Sequence, residues 1–149
     1  MKEEILKKLS EIVGDKWVDT DPERVKNYSE ESTNESYNLV APEPSSGSIL
    51  VKPGSPEEIS QIMKTANKEQ ISVNVRGGGT ALSANAIPTE PGILISTERM
   101  NQILEIDEDN LVIKCEAAVT LGDLNETLQK SELFFPLHPG DEGAHVGGM

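Results

Sequence analysis

Two glycine-rich segments are the places where this chain could hold a ligand. Arg76-Gly77-Gly78-Gly79-Thr80 comes directly after a run of alternating apolar residues. Three successive glycines remove every Cβ, permit positive φ and let backbone N–H groups converge on an anion. That geometry suits a pyrophosphate and needs no basic side chain. An ordinary flexible turn could carry the same residues, because short glycine runs recur by chance. The second segment, Pro139-Gly140-Asp141-Glu142-Gly143-Ala144-His145-Val146-Gly147-Gly148-Met149, is again rich in small residues, with a loose tail as the plain alternative. Neither GxxxxGK[ST] nor a GxGxxG that opens a helix after the first strand occurs, so a P-loop and a Rossmann dinucleotide fold are not indicated.

Other reactive side chains offer less. His138 and His145 are the only histidines, and neither has a carboxylate or cysteine at a metal or triad spacing. Both read as loop histidines of no special role. Cys115, the single cysteine, has no disulfide partner and reads as a core thiol. Asp107-Glu108-Asp109 lacks the glycine and distal Glu of a calcium loop. Thirteen basic against twenty-six acidic residues give a net charge of −13, which argues against nucleic acid as a partner. From Asn101 onward only Lys114 and Lys130 are basic, which reads as a solvated acidic face. No apolar run approaches the ~18 residues of a membrane span, and the start lacks a secretory core, so a cytoplasmic protein is expected.

The elements that must position the glycines are clearest from Ser48 onward. Ile49 to Val51 predicts a strand ending at Lys52-Pro53-Gly54, and Ser55-Pro56-Glu57-Glu58 has the form of a capping box. Ser55 would accept from the Glu58 amide, and the Glu58 carboxylate would reach back to the Ser55 amide. Ile59, Ile62, Met63 and Ala66 then predict a helix with one buried stripe. Ile71, Val73 and Val75 alternate as a strand leading into Arg76, so strand, helix and strand form a right-handed crossover. Ile93 to Ile95 predicts a third strand. Leu111 to Cys115 predicts another, with Leu111, Ile113 and Cys115 on one face. Thr120 would cap a helix carrying Leu121, Leu124 and Leu128, and Phe135 to Met149 reads as loop. Upstream, Ile5, Leu6, Leu9, Ile12 and Val13 recur at helical spacing before Gly14, and Asp21-Pro22 opens a second helix. Ser29 to Ser48 is polar and Pro-rich, a linker. Two parts are expected: a helical arm and linker over 1–47 and an αβ unit over 48–149.

In order, these segments resemble the FAD-binding domain shared by vanillyl-alcohol oxidase, D-lactate dehydrogenase and the glycolate oxidase FAD subunit. Tyr28-Ser29-Glu30-Glu31 is similar to the family's YSxD element, and Ser48 to Pro53 to the strand and turn before its first helix. Val73 to Ser83 resembles the first pyrophosphate loop, Arg99-Met100-Asn101-Gln102-Ile103 the RMNxI element, and Phe135 to Met149 the start of the second pyrophosphate loop. Ala84-Asn85 stand where relatives commonly have Gly-Gly, Ala118 replaces a usual glycine, and His145-Val146 replace a common Thr-Ile.

The resemblance implies an α+β fold, the first αβ subdomain of a vanillyl-alcohol oxidase-type FAD-binding domain. A small, partly parallel sheet would have its helices on one side after a helical arm. It implies cofactor contacts from Arg76, Gly77, Gly78, Gly79, Thr80, Leu82 and Ser83. Pro139, Gly140, Gly143, Gly147 and Gly148 would line the opposite side of the phosphate and flavin channel. Some relatives attach flavin to a histidine just after the first glycines; here Thr80 stands there, so FAD would be non-covalent. The implied activity is oxidation of a small 2-hydroxy acid such as D-lactate or glycolate, with electrons passed to an acceptor protein or quinone. In the family, GGM is followed by the rest of the FAD domain and a substrate domain that supplies the base. The chain is therefore expected to be a truncated FAD-binding portion with no catalytic or metal-ligating residue of its own. A non-catalytic interaction protein and one half of a split flavoprotein are the alternatives.

Overall fold

The computed structural model describes residues 2–30, 42–81 and 83–149. Helix α1 (Lys2–Val13) leads through a short 3-10 turn to strand β1 (Val18–Asp19) and helix α2 (Pro22–Ser29). Strand β2 (Ile49–Val51), helix α3 (Pro56–Glu69), strand β3 (Val73–Arg76) and strand β4 (Ile93–Ser96) follow. Strands β5 (Ile103–Asp107) and β6 (Val112–Cys115) precede helix α4 (Leu121–Leu128), and Val146–Gly148 form a last 3-10 turn.

The first sheet runs β1-β2-β4-β3, with β1 antiparallel and the other three parallel. β2 and β3 are joined by α3 as the sequence predicts, yet they are not neighbours. β4 lies between them and pairs Ile93 with both Ile49 and Val73. The physical reason is burial: Ile93, Leu94 and Ile95 are apolar on both faces, which suits a central strand.

One face of this sheet sets Ile49, Val51, Ile93 and Ile95 against Ile5, Leu9 and Val13 of α1 and Ile62 and Ala66 of α3. Helix α1 therefore shares the core of the strands that follow. The other face packs Leu50 and Leu94 against Val25 and Tyr28 of α2. Helices thus flank both sides, not one, because β2 and the Ile93–Ile95 stretch of β4 are apolar at every position and an open face would leave Leu50 and Leu94 in water.

Helix α3 begins as predicted at Ser55, whose side chain accepts from the Glu58 amide at 3.2 Å. The Glu58 carboxylate, however, accepts from the Gly54 amide at 2.7 Å rather than from that of Ser55, and lies 3.6 Å from Arg99 Nη1. Ile62 and Ala66 are buried, whereas Met63 is 44% exposed and stands outside the stripe. Asp21 caps α2 by accepting from the Arg24 amide, and Thr120 caps α4 by accepting from that of Asp123.

The second layer is the β5–β6 antiparallel pair packed on α4. β5 is not evident as a strand in the sequence, because an irregularity between Ile103 and Glu105 breaks the period-2 pattern. Leu111 does not belong to β6. It adopts φ 55° in the turn and is 76% exposed, so the strand face begins at Ile113. Cys115 is half-buried against this layer, and burial pushes its thiol pKa up.

Candidate functional site

Parallel strands β2, β3 and β4 all end on one edge of the first sheet. β2 hands over to Lys52, β3 ends at Arg76, and β4 ends at Ser96, followed by Thr97 and Glu98. In open αβ sheets this carboxyl edge is where ligands bind. Helix α2 adds Tyr28 from the opposite face.

These side chains form one network. Tyr28 donates its hydroxyl proton to Glu98 Oε2 at 2.7 Å, and Ser96 donates to the same oxygen at 3.1 Å. Lys52 Nζ donates to Tyr28 Oη at 2.6 Å and to Glu98 Oε1 at 2.9 Å. Burial alone would raise the Glu98 pKa, but the hydrogen bonds from Tyr28 and Lys52 outweigh it and hold the carboxyl below its usual range. Burial would lower that of Lys52, and the bonds to Tyr28 and Glu98 reverse this upward. Lys52 and Glu98 are therefore both charged at neutral pH and neutralise each other.

Arg76 has no such partner. Its guanidinium carbon lies 5.2 Å from the centre of the Tyr28 ring. Its Nε is buried and donates to no hydrogen-bond partner among the described residues. Nor does any described carboxylate reach ion-pair distance of it. The guanidinium fills the place where a Cβ on Gly79 would sit, and Gly79 takes φ 73°. Only glycine allows both.

The two glycine segments meet. A methyl on Gly78 would collide with the carbonyl oxygen of Gly143, and one on Gly77 would touch His145 Nδ1 at 3.4 Å. The second segment is pinned from behind by backbone hydrogen bonds. Leu121 and Gly122 donate to Ala144 and Glu142, and Val146 and Gly147 donate to Val119 and Ala117, each at 2.9 Å. A methyl on Gly147 would lie 2.7 Å from the Ala117 Cβ. His145 is half-buried, with Nδ1 3.4 Å from Thr97 Oγ1. Burial, then the charge of Arg76, pushes its pKa down, so the ring is neutral at pH 7.

Arg76, Gly77, Gly78, Gly79 and Gly143 are thus brought together, with Thr80 continuing the turn. Ser83 is exposed beyond it, and Leu82 lies outside the described residues. Pro139 and Gly140 are exposed; Gly140 takes φ 93° and donates to His138 Nδ1 at 3.2 Å. Gly147 turns toward Ala117, and Gly148 donates to the His145 carbonyl at 2.9 Å. The reading of His145 as a histidine without special role missed its contact with the first glycine turn. Tyr28, Lys52 and Glu98 were also missed as a group. The available signal was positional: Lys52, Arg76 and Glu98 each fall at or shortly past the end of a predicted strand, the first two of a parallel crossover.

Comparison with known proteins completes this picture. A family model described as FAD binding domain matches residues 47–149. A D-lactate dehydrogenase of Archaeoglobus fulgidus is 51% identical over 111 residues, covering 74% of this chain and 25% of that protein. Glycolate oxidase subunit GlcD of Bacillus subtilis is 33% identical over 104 residues, 70% of this chain and 22% of that protein. Among solved structures, 4-ethylphenol oxidase from Gulosibacter chungangensis superposes with a TM-score of 0.81 at 25% identity, over 99% of this chain and 28% of that one. The chain spans about a quarter of the length of the curated relatives it matches. No helix among the described residues is long and apolar enough to cross a membrane. The chain belongs to the FAD binding domain family, with the α+β architecture of vanillyl-alcohol oxidase-type flavoproteins.

Proposed function

We propose that this chain holds the pyrophosphate of a non-covalently bound FAD in an oxidoreductase of small 2-hydroxy acids. The observation that carries the reading is Arg76: a cation whose buried Nε has no partner among the described residues, held over a turn where Gly78 and Gly79 leave no room for a side chain. A pyrophosphate fits these residues. Arg76 would supply the charge, and the backbone at Gly77, Gly78, Gly79 and Thr80 would approach the oxygens closely. Gly143 and His145 would close the turn from the second segment. Ser83, Pro139, Gly140, Gly147 and Gly148, with Leu82, would border the cofactor farther along.

When bound, FAD supplies the hydride acceptor for oxidation of the substrate carbinol. The chain's residues bind and orient it, while the base, the substrate clamp and the route to an electron acceptor would lie outside these 149 residues. The 2-hydroxy-acid class is supported by the names of the relatives, D-lactate dehydrogenase and glycolate oxidase. Thr80, in the position of an attaching histidine, supports non-covalent binding. A second reading, one half of a split flavoprotein, is favoured by an apolar groove of about 520 Å³ beside α4, bordered by Phe134 at 80% exposure.

Titration of the 149-residue chain with FAD, followed by quenching of flavin fluorescence, tests the reading. Saturable binding that Arg76→Met weakens at least tenfold, with all flavin released on acid precipitation, is the expected result. No binding by the folded chain, or equal binding by Arg76→Met, would refute it.

A further inference from the structure

We propose that Tyr28 is a positioning residue for the cofactor, holding the Arg76 guanidinium in its binding pose by a cation–π contact. This rests on the reading of Arg76 given above and adds the element that sets its geometry. Arg76 has no described carboxylate to fix it, and its Nε forms no hydrogen bond among the described residues. What faces the guanidinium is the Tyr28 ring, 5.2 Å from carbon to ring centre. That ring is itself clamped. Its hydroxyl donates to Glu98 at 2.7 Å and accepts from Lys52 at 2.6 Å, and its body packs on the Val25, Leu50 and Leu94 cluster. Lys52 also lies 4.3 Å from the ring centre, but Glu98 neutralises it. A ring can hold a cation without cancelling its charge, whereas a carboxylate would compete with the incoming phosphate. Helix α2 therefore takes part in the anion site without touching the anion.

A double-mutant cycle in FAD affinity tests this. Tyr28→Leu should weaken binding about three- to tenfold, the range of a partly desolvated cation–π contact. In an Arg76→Met background the same change should cost less than about twofold. Tyr28→Phe should restore most of the affinity. Should the leucine variant fail to fold, mono-, di- and trifluorophenylalanine at position 28 should weaken binding stepwise relative to Tyr28→Phe. Equal losses in both Arg76 backgrounds, or a flat fluorination series, would overturn the inference alone. A folded wild type that takes up no FAD would overturn it together with the functional reading.

Discussion

Gly147 and Gly148 are adjacent, yet the structure assigns them opposite sensitivities. A methyl on Gly147 would lie 2.7 Å from the Ala117 Cβ and 3.0 Å from the Ala117 carbonyl oxygen. Carbon atoms rest at about 3.5–4.0 Å, so the last turn must retreat by about 1 Å in Gly147→Ala. That turn is tied down by the Gly147–Ala117 and Val146–Val119 hydrogen bonds, each 2.9 Å, and a retreat of this size loses one or both. At about 0.5–1.5 kcal/mol per bond, with residual crowding, the expected loss is about 1–3 kcal/mol. For a chain of this size that is a fall in Tm of about 3–10 °C, read by circular dichroism or calorimetry. A methyl on Gly148 meets nothing within 4 Å, and Gly148→Ala should stay within about 0.5 kcal/mol of wild type. His145 precedes Gly147 and faces the first glycine turn, so Gly147→Ala should also weaken FAD binding. Equal stability of Gly147→Ala and wild type would refute the close-approach argument. Equal destabilisation by both substitutions would show that backbone freedom, not space, is what these glycines provide.

Two further outcomes are expected. Ala84 adopts φ 59°, where an L side chain is strained by about 1–2 kcal/mol, so Ala84→Gly should stabilise the chain by about 0.5–1 kcal/mol in urea unfolding; no gain would show that the conformation is not strained. His145 is held below its ordinary value of 6.5, so below that pH the unfolded chain binds the extra proton and folding loses free energy as pH falls. Arg76 opposes its protonation while Glu98 and Asp123 favour it. His145→Gln should flatten this part of the stability–pH profile, and an unchanged acid slope would exclude His145 as its source.

Local signals in the sequence carried most of the elements. Ser55-Pro56-Glu57-Glu58 specifies the start of α3 because a cap acts within one turn, and only the destination of the Glu58 carboxylate shifts, to Gly54 beside Arg99. Non-local choices were hidden. Nothing near Ile93 says that β4 will enter between β2 and β3. The Tyr28, Lys52 and Glu98 contacts join residues 24, 46 and 70 positions apart. Likewise, of Ala84 and Asn85, which stand where relatives commonly have Gly-Gly, asparagine is the residue that tolerates positive φ more readily. The turn places Ala84 there instead, because the backbone path beyond the glycines decides which residue turns.

The charge pattern explains why the glycines and Arg76 belong together. A chain of net charge −13 is poorly suited to attract a dianion from a distance. At physiological salt the Debye length is about 8 Å, so most of that field is screened and the nearest groups decide. There the balance differs from the whole. Glu98 is matched by Lys52, and the described residues leave Arg76 uncompensated, with backbone rather than carboxylates around it. The acidic majority sets solubility and surface. On the proposed reading Arg76, which meets no counter-ion among the described residues and lies against the Tyr28 ring, would set what can bind.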